Sequence, residues 1–179
     1  MSFNLQPTIE NAQVRLQPLE PGDFESLFAV ASDPLIWEQH PSRERYRREV
    51  FVKYFQGAIE SNGASRVIDA ATGELFGCSR FYDHDAAASQ VSIGYTFIAR
   101  SHWAKGYNHA LKQLMLDYAF QHVDRVTFQV GSRNLRSRKA MEKLGAACIG
   151  EESVAYFGEN PTPNVIYRIE RLEWLGRKV

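Results

Sequence analysis

The chain has 179 residues, 44% of them apolar and 23% charged, with a formal net charge of zero. That length predicts one domain over 1–179, able to bury a core without disulfides or metals. Balanced charge gives no global field toward nucleic acid or an anionic membrane, no apolar run approaches the roughly 18 residues of a membrane helix, and the N-terminus lacks a signal-like pattern, so the expectation is a cytoplasmic protein with neither nucleic acid nor membrane as partner.

In chain order, residues 14–19 read as a first strand, closed by Pro18 and Pro21. Asp23 is placed to cap a short helix over 24–31, which Asp33-Pro34 breaks. A longer helix is expected over 43–61, where Tyr46, Val50, Phe51, Tyr54, Phe55, Ala58 and Ile59 share one face and Asn62-Gly63 forms the stop. Strands follow at 65–69, 74–82 and 90–98, with a turn at Ala71-Thr72-Gly73 and a polar stretch at 83–89. A helix over 108–122 carries Leu111, Leu114, Met115, Tyr118 and Ala119 on one face, and a β-rich run covers 125–130. Asn134 caps a helix that runs to Leu144 and ends at Gly145. Strands at 147–156 and 165–172, joined by a loop rich in Gly and Pro, close the chain. The order β-α-α-β-β-β-α-β-α-β-β predicts an α/β (α+β) fold: a mixed, mostly antiparallel seven-stranded sheet with helices on both faces and one right-handed parallel crossover from 90–98 to 125–130. Cys78 and Cys148 lie in strand-like runs and are expected as reduced core thiols. The five histidines show no HExxH or CxxC spacing, so no metal is expected.

The most informative segment runs from Ile98 through Arg100, Trp103, Ala104, Lys105, Gly106 and Tyr107 to Asn108. It links a strand to a helix. A helix start offers unpaired N–H groups and a positive dipole end, and Gly106 lets backbone approach a phosphate. Walker A and the dinucleotide GxGxxG pattern are both absent.

Ser92-Ile93-Gly94-Tyr95-Thr96-Phe97-Ile98, followed by Trp103-Ala104-Lys105-Gly106-Tyr107 and a helix, resembles the acetyl-CoA motif of the GNAT acetyltransferases. Within that superfamily the chain is similar to the ribosomal-protein N-terminal acetyltransferase-like (Rim-type) branch. The block from Asn134 through Ser137 to Gly145 resembles the family's Asn-x-x-Ser helix, and Val14–Leu19 with Gly73–Gly77 also look like the family. At the turn only Gly106 matches the pattern strictly; Trp103 is familiar in the Rim-type branch, and Asn108 is larger than the usual Gly or Ala.

The resemblance implies an acetyl-CoA-dependent N-acetyltransferase with no metal. The strand ending at Phe97 and Ile98 would splay from its neighbour and take the pantetheine arm like an added strand. The backbone of Ala104, Lys105, Gly106, Tyr107 and Asn108 would hold the pyrophosphate. Asn134 would bond the pantetheine or serve as a plain cap, and Arg138 with Lys139 would reach the adenosine phosphates or form a solvated face. Ser137 is the candidate proton donor to the departing thiolate; Tyr107 is at the site's edge or in the core. Many relatives carry a glutamate where this chain has Ser92, so the base is sought in Glu38 and His40, beside Trp37, or in Asp83, His84 and Asp85. The implied acceptor is a protein N-terminal α-amine; alternatives are a small amine (polyamine, amino acid, aminoglycoside-like) or coenzyme A binding without turnover. A monomer or homodimer is expected.

Overall fold

The computed structural model describes residues 3–155 and 159–177. Its strands are β1 (Ile9–Glu10), β2 (Val14–Pro18), β3 (Ala64–Asp69), β4 (Leu75–Asp85), β5 (Gln90–Ile98), β6 (Arg125–Gly131), β7 (Ala147–Val154) and β8 (Thr162–Glu170). They form one sheet in the order β1-β2-β3-β4-β5-β6-β8-β7. Every pairing is antiparallel except β5 with β6. The eighth strand, β1, is a two-residue edge too short to show as a pattern in sequence. The helices are α1 (Phe24–Ala31), α2 (Arg48–Glu60), α3 (Tyr107–Ala119), α4 (Leu135–Leu144) and α5 (Arg171–Gly176).

Two apolar clusters place the layers. Leu27, Phe51, Tyr54 and Ala58 of α1 and α2 pack with Cys78 and Phe97 on one face of the sheet. Leu111, Met115, Met141 and Leu144 of α3 and α4 pack with Phe76, Ile93, Val126 and Ile169 on the other. Each fully buried Phe or Leu in these layers contributes roughly 1.5–3 kcal/mol.

Several boundaries differ from the periodicity reading. The helix expected from residue 43 begins as a separate 3-10 turn, Arg43–Tyr46, after which Arg47 is extended and α2 starts at Arg48. Asp23 does not cap α1: a 3-10 turn, Pro21–Asp23, comes first, and the Asp23 carboxylate turns back to the Glu20 N–H at 2.8 Å while pairing with Arg66 at 2.9 Å. α3 starts one residue before Asn108, with left-handed Gly106 as its N-cap. The polar 83–89 stretch belongs partly to the β4–β5 hairpin, which pairs out to Asp85 and Gln90. Residues 171–172, read as strand, begin α5. Cys78 is buried as expected, Cys148 is exposed, and both are free thiols. The expected strand end at Tyr156 lies outside the described residues.

Candidate active site

β5 and β6 pair only at Gln90, Val91 and Ser92 against Arg125, Val126 and Thr127. Beyond that point the two strands part. A bulge on the far edge of β5 accompanies the split: Cys78 to Arg80 on β4 faces Phe97 to Gly94 on β5, one residue more. Tyr95 sits in that bulge at φ 53°, a conformation that costs a non-glycine residue roughly 1–2 kcal/mol. The Tyr54 hydroxyl from α2 donates to the Tyr95 carbonyl at 2.7 Å and holds it there.

The split opens into a cleft of about 830 Å³ bounded by β5, β6, the turn before α3, the start of α4 and the loop between α1 and α2. Of the residues singled out in sequence, Phe97, Ile98, Trp103, Ala104, Gly106, Asn108, Asn134, Ser137 and His40 line it. Lys105, Tyr107, Arg138 and Glu38 do not. Lys105 is exposed on the turn. The Tyr107 hydroxyl donates to Asp69 Oδ2 at 2.6 Å, which ties the first residue of α3 to the end of β3. Arg138 donates to the Tyr167 hydroxyl at 3.2 Å and the Ser132 carbonyl at 3.1 Å. Glu38 is half exposed and stands 3.8 Å from the Arg136 guanidinium. Asp83, His84 and Asp85 lie at the β4 end of the hairpin, where His84 stacks on Phe3 at 5.1 Å, and none of them lines the cleft.

The two helix starts that meet at the cleft differ in their free donors. On α4, the Ser137 N–H is taken by Asn134 Oδ1 at 3.2 Å, the Arg138 N–H by the Asn134 carbonyl at 3.0 Å and the Arg136 N–H by Gln39 Oε1 at 3.0 Å. On α3 the cap is a glycine at φ 84°, preceded by Ala104 at φ 56°, and no cap side chain is present. The N–H groups of Tyr107, Asn108 and His109 have no protein partner among the described residues. Unpaired amides on a helix start, behind a left-handed turn, have the chemistry to hold an anion, and among the two helix starts only that of α3 offers them.

The charge of the cleft is one-sided. Arg45, Lys112, Arg136, Lys139 and Lys143 line it, with His40, His102 and His109, and no Asp or Glu does among the described residues. Glu159 is engaged outside it by Ser42 and by Arg45 at 2.9 Å. Arg136 bridges two walls: its guanidinium lies 4.1 Å from the centre of the Trp103 ring and donates to the Ile36 carbonyl at 3.1 Å. His40 is held well below its ordinary pKa, first by burial and then by the Arg45 charge. Its Nδ1 accepts the Ser42 N–H at 2.9 Å, so in the neutral ring the proton sits on Nε2. Ser92, at the place where relatives have a glutamate, is buried and hydrogen-bonded to Thr127 Oγ1 at 2.8 Å.

Lys112 went unnoticed in the sequence. It lines the cleft, is buried, and reaches Thr96 Oγ1 on β5 at 2.6 Å. Burial pushes its amine down to about 7. A signal was available, because Met115, Leu116 and Ala119, one and two turns further along that row of the helix, are all buried.

Comparison with known proteins agrees with this geometry. Residues 13–147 match the family profile described as "Acetyltransferase (GNAT) domain". A GCN5-related N-acetyltransferase from Brucella melitensis superposes with a TM-score of 0.79 at 20% identity, over 95% of this chain and 81% of that one. A spermidine N-acetyltransferase from Vibrio cholerae, solved with CoA and spermine, gives 0.67 at 20% identity over 92% and 99%. A Vibrio cholerae protein described as a ribosomal-protein-serine acetyltransferase gives 0.71 at 14% identity over 94% and 99%. No curated protein matches the sequence significantly. With three-quarters of its length inside the family profile, the chain belongs to the GNAT acetyltransferases, which move an acetyl group from acetyl-CoA to an amine.

Proposed function

We propose that the acceptor is the α-amine of a peptide or protein N-terminus. The observation that carries this reading is that no carboxylate lines the cleft among the described residues. A polyamine or aminoglycoside is a polycation, and a lining that carries Lys139 and Lys143 and no Asp or Glu among the described residues offers it no counter-charge. Deprotonation points the same way. An α-amine with a pKa of about 7.7–8.0 is already about one-sixth to one-eleventh neutral at pH 7, whereas an alkylamine at about 10.4 is neutral in roughly one molecule in 2,500. A site without a carboxylate base is better matched to the first. Resemblance to the Rim-type branch supports the same acceptor.

In this reading the α3 amides from Gly106 to Asn108 bind the pyrophosphate, with Ala104 in the same turn. The open edge of β5 at Phe97 and Ile98 pairs with the pantetheine, and Trp103 with Asn134 borders it. Lys105 and Arg138 add positive charge outside the cleft, and Tyr107 anchors the helix. Ser137, at the start of α4, donates to the departing sulfur. His40 lies on the acceptor side as a neutral ring, and Glu38 holds Arg136 rather than reacting.

The test is thiol release from acetyl-CoA over N-terminal peptides, spermidine, free lysine and an aminoglycoside. Turnover confined to peptides with a free α-amine, abolished by blocking that amine, is the expected result. Preference for spermidine would overturn the proposal.

A further inference from the structure

The amine nitrogen loses one proton as it is acetylated, and a side chain of the cleft or a water ordered by it takes that proton. Carboxylates are absent from its lining among the described residues. His40 carries its ring proton on Nε2 because Nδ1 is occupied by the Ser42 N–H. His102 is stacked on Phe76 at 4.1 Å, with Nδ1 on Ser101 Oγ at 2.9 Å and Nε2 at 3.5 Å from the Asp69 carboxylate. His109 is exposed on the first turn of α3, beside the amides of the phosphate cradle. Burial raises the Tyr95 phenol, so it stays protonated.

We infer that Lys112 is the proton acceptor of the reaction, working from the apex of the β5–β6 split with Thr96 as its fixed partner. This rests on the acetyl-transfer reading of the cleft, and does not depend on which amine is the acceptor. Three observations support it. Lys112 is 5% exposed and has no ion pair among the described residues. Its Nζ makes one hydrogen bond there, to Thr96 Oγ1, and Thr96 in turn meets Ser79 Oγ at 2.8 Å, so a polar chain anchors the amine to β4 and β5. The Phe128 ring of β6 lies 6.0 Å from Nζ on the other side of the split.

The charged and titratable cleft-lining groups on the elements around Lys112 are His109 on α3 itself, Tyr95 on β5, Lys139 and Lys143 on α4, and His102 in the turn; β6 contributes Phe128 and Gln129. None is an anion that would hold an ammonium in place. Desolvation therefore acts without opposition and brings the amine down to about 7. A neutral amine donating one N–H to Thr96 keeps a lone pair available.

The step balances as follows. The acceptor nitrogen's lone pair forms the C–N bond to the thioester carbonyl carbon. The C–S bond breaks and its electron pair leaves on sulfur. The nitrogen gives up its proton, directly or through one water, to the Lys112 lone pair. Sulfur gains a proton through Ser137 from solvent, and Lys112 returns its own to solvent, so one proton passes in net from amine to thiol.

Two measurements on the full chain test this. In protein labelled with 13C-lysine and saturated with coenzyme A, the Lys112 Cε signal is expected to titrate near neutrality; a lysine still charged at pH 9 overturns the inference. In turnover, Lys112→Met and Lys112→Arg should both lose about 10²–10⁴-fold in kcat with acetyl-CoA affinity retained. The acidic limb of the pH profile should shift to the acceptor's own pKa. Arginine is the deciding variant because it keeps the charge and cannot deprotonate. Wild-type turnover in Lys112→Arg would mean that a fixed cation suffices and would overturn the inference. Circular dichroism of both variants separates these losses from misfolding. If peptides fail as acceptors but another amine reacts, the acceptor proposal falls while the profile on that amine still decides Lys112. If no amine reacts, the titration decides it.

Discussion

Asp69 joins three parts that must stay in register for the turn before α3 to form. Its Oδ1 accepts the N–H groups of Ala71 and Thr72 at 2.9 and 3.1 Å, and its Oδ2 accepts the Tyr107 hydroxyl at 2.6 Å and lies 3.5 Å from His102 Nε2. Replacing Tyr107 with Phe removes one oxygen and leaves the ring on Phe76 and His102, at 5.2 and 4.7 Å between centroids. A hydrogen bond to a charged partner contributes about 1.5–3 kcal/mol, and because Asp69 keeps its other donors the loss should be near the lower part, about 2 kcal/mol. In a chain of this size each kcal/mol shifts Tm by about 2–4 °C, so Tyr107→Phe should lower Tm by about 4–8 °C at neutral pH. The Asp69 carboxyl sits at about 2, below its usual 3.8, first because of the Tyr107 hydroxyl and against the pull of burial. A depressed carboxylate stabilises the fold above its unfolded value and loses that contribution as pH falls from 3.8 toward about 2. In the Phe variant that carboxyl rises toward 3.8, so the gap in Tm should be constant above that pH and shrink below it. Thermal unfolding across pH, followed by circular dichroism, reads both. The variant should also bind acetyl-CoA more weakly, since the hydroxyl anchors the residue that follows Gly106. An unchanged Tm at neutral pH, or a gap that widens in acid, would refute the reasoning.

Ser137→Ala should leave acetyl-CoA affinity intact and lower kcat by about 10²-fold, the low end for a lost proton donor, in steady-state thiol release. Asn134→Ala removes the carboxamide oxygen that accepts the Ser137 N–H, which should cost about 1 kcal/mol of stability by chemical denaturation, with weaker acetyl-CoA binding in the same preparation.

The elements of this fold were legible where the local pattern and the tertiary packing ask for the same thing. The apolar stripe of α2, the Asn134 cap and Gly145 stop of α4, and the alternation through the strands each carry their structure in a few neighbouring residues. Where a side chain had a better partner, the local rule failed: the Asp23 carboxylate turned from α1 to the Glu20 N–H and to Arg66. The site divides the same way. The turn from Trp103 to Asn108 and the Asn134–Ser137 block are each contiguous in sequence, so both could be singled out from it, as could the family. The sequence by itself determined the layered mixed sheet and the strand–turn–helix passage at Gly106. Only the tertiary structure decided that β5 and β6 separate after Ser92, that the resulting cleft is lined by cations and no carboxylate among the described residues, and that Lys112 ends in it beside Thr96. The physical reason is that dielectric and charge at a point are set by every element that converges there. A lysine among buried neighbours on one helix has no fixed pKa until β5 and β6 are set around it and withhold a counterion.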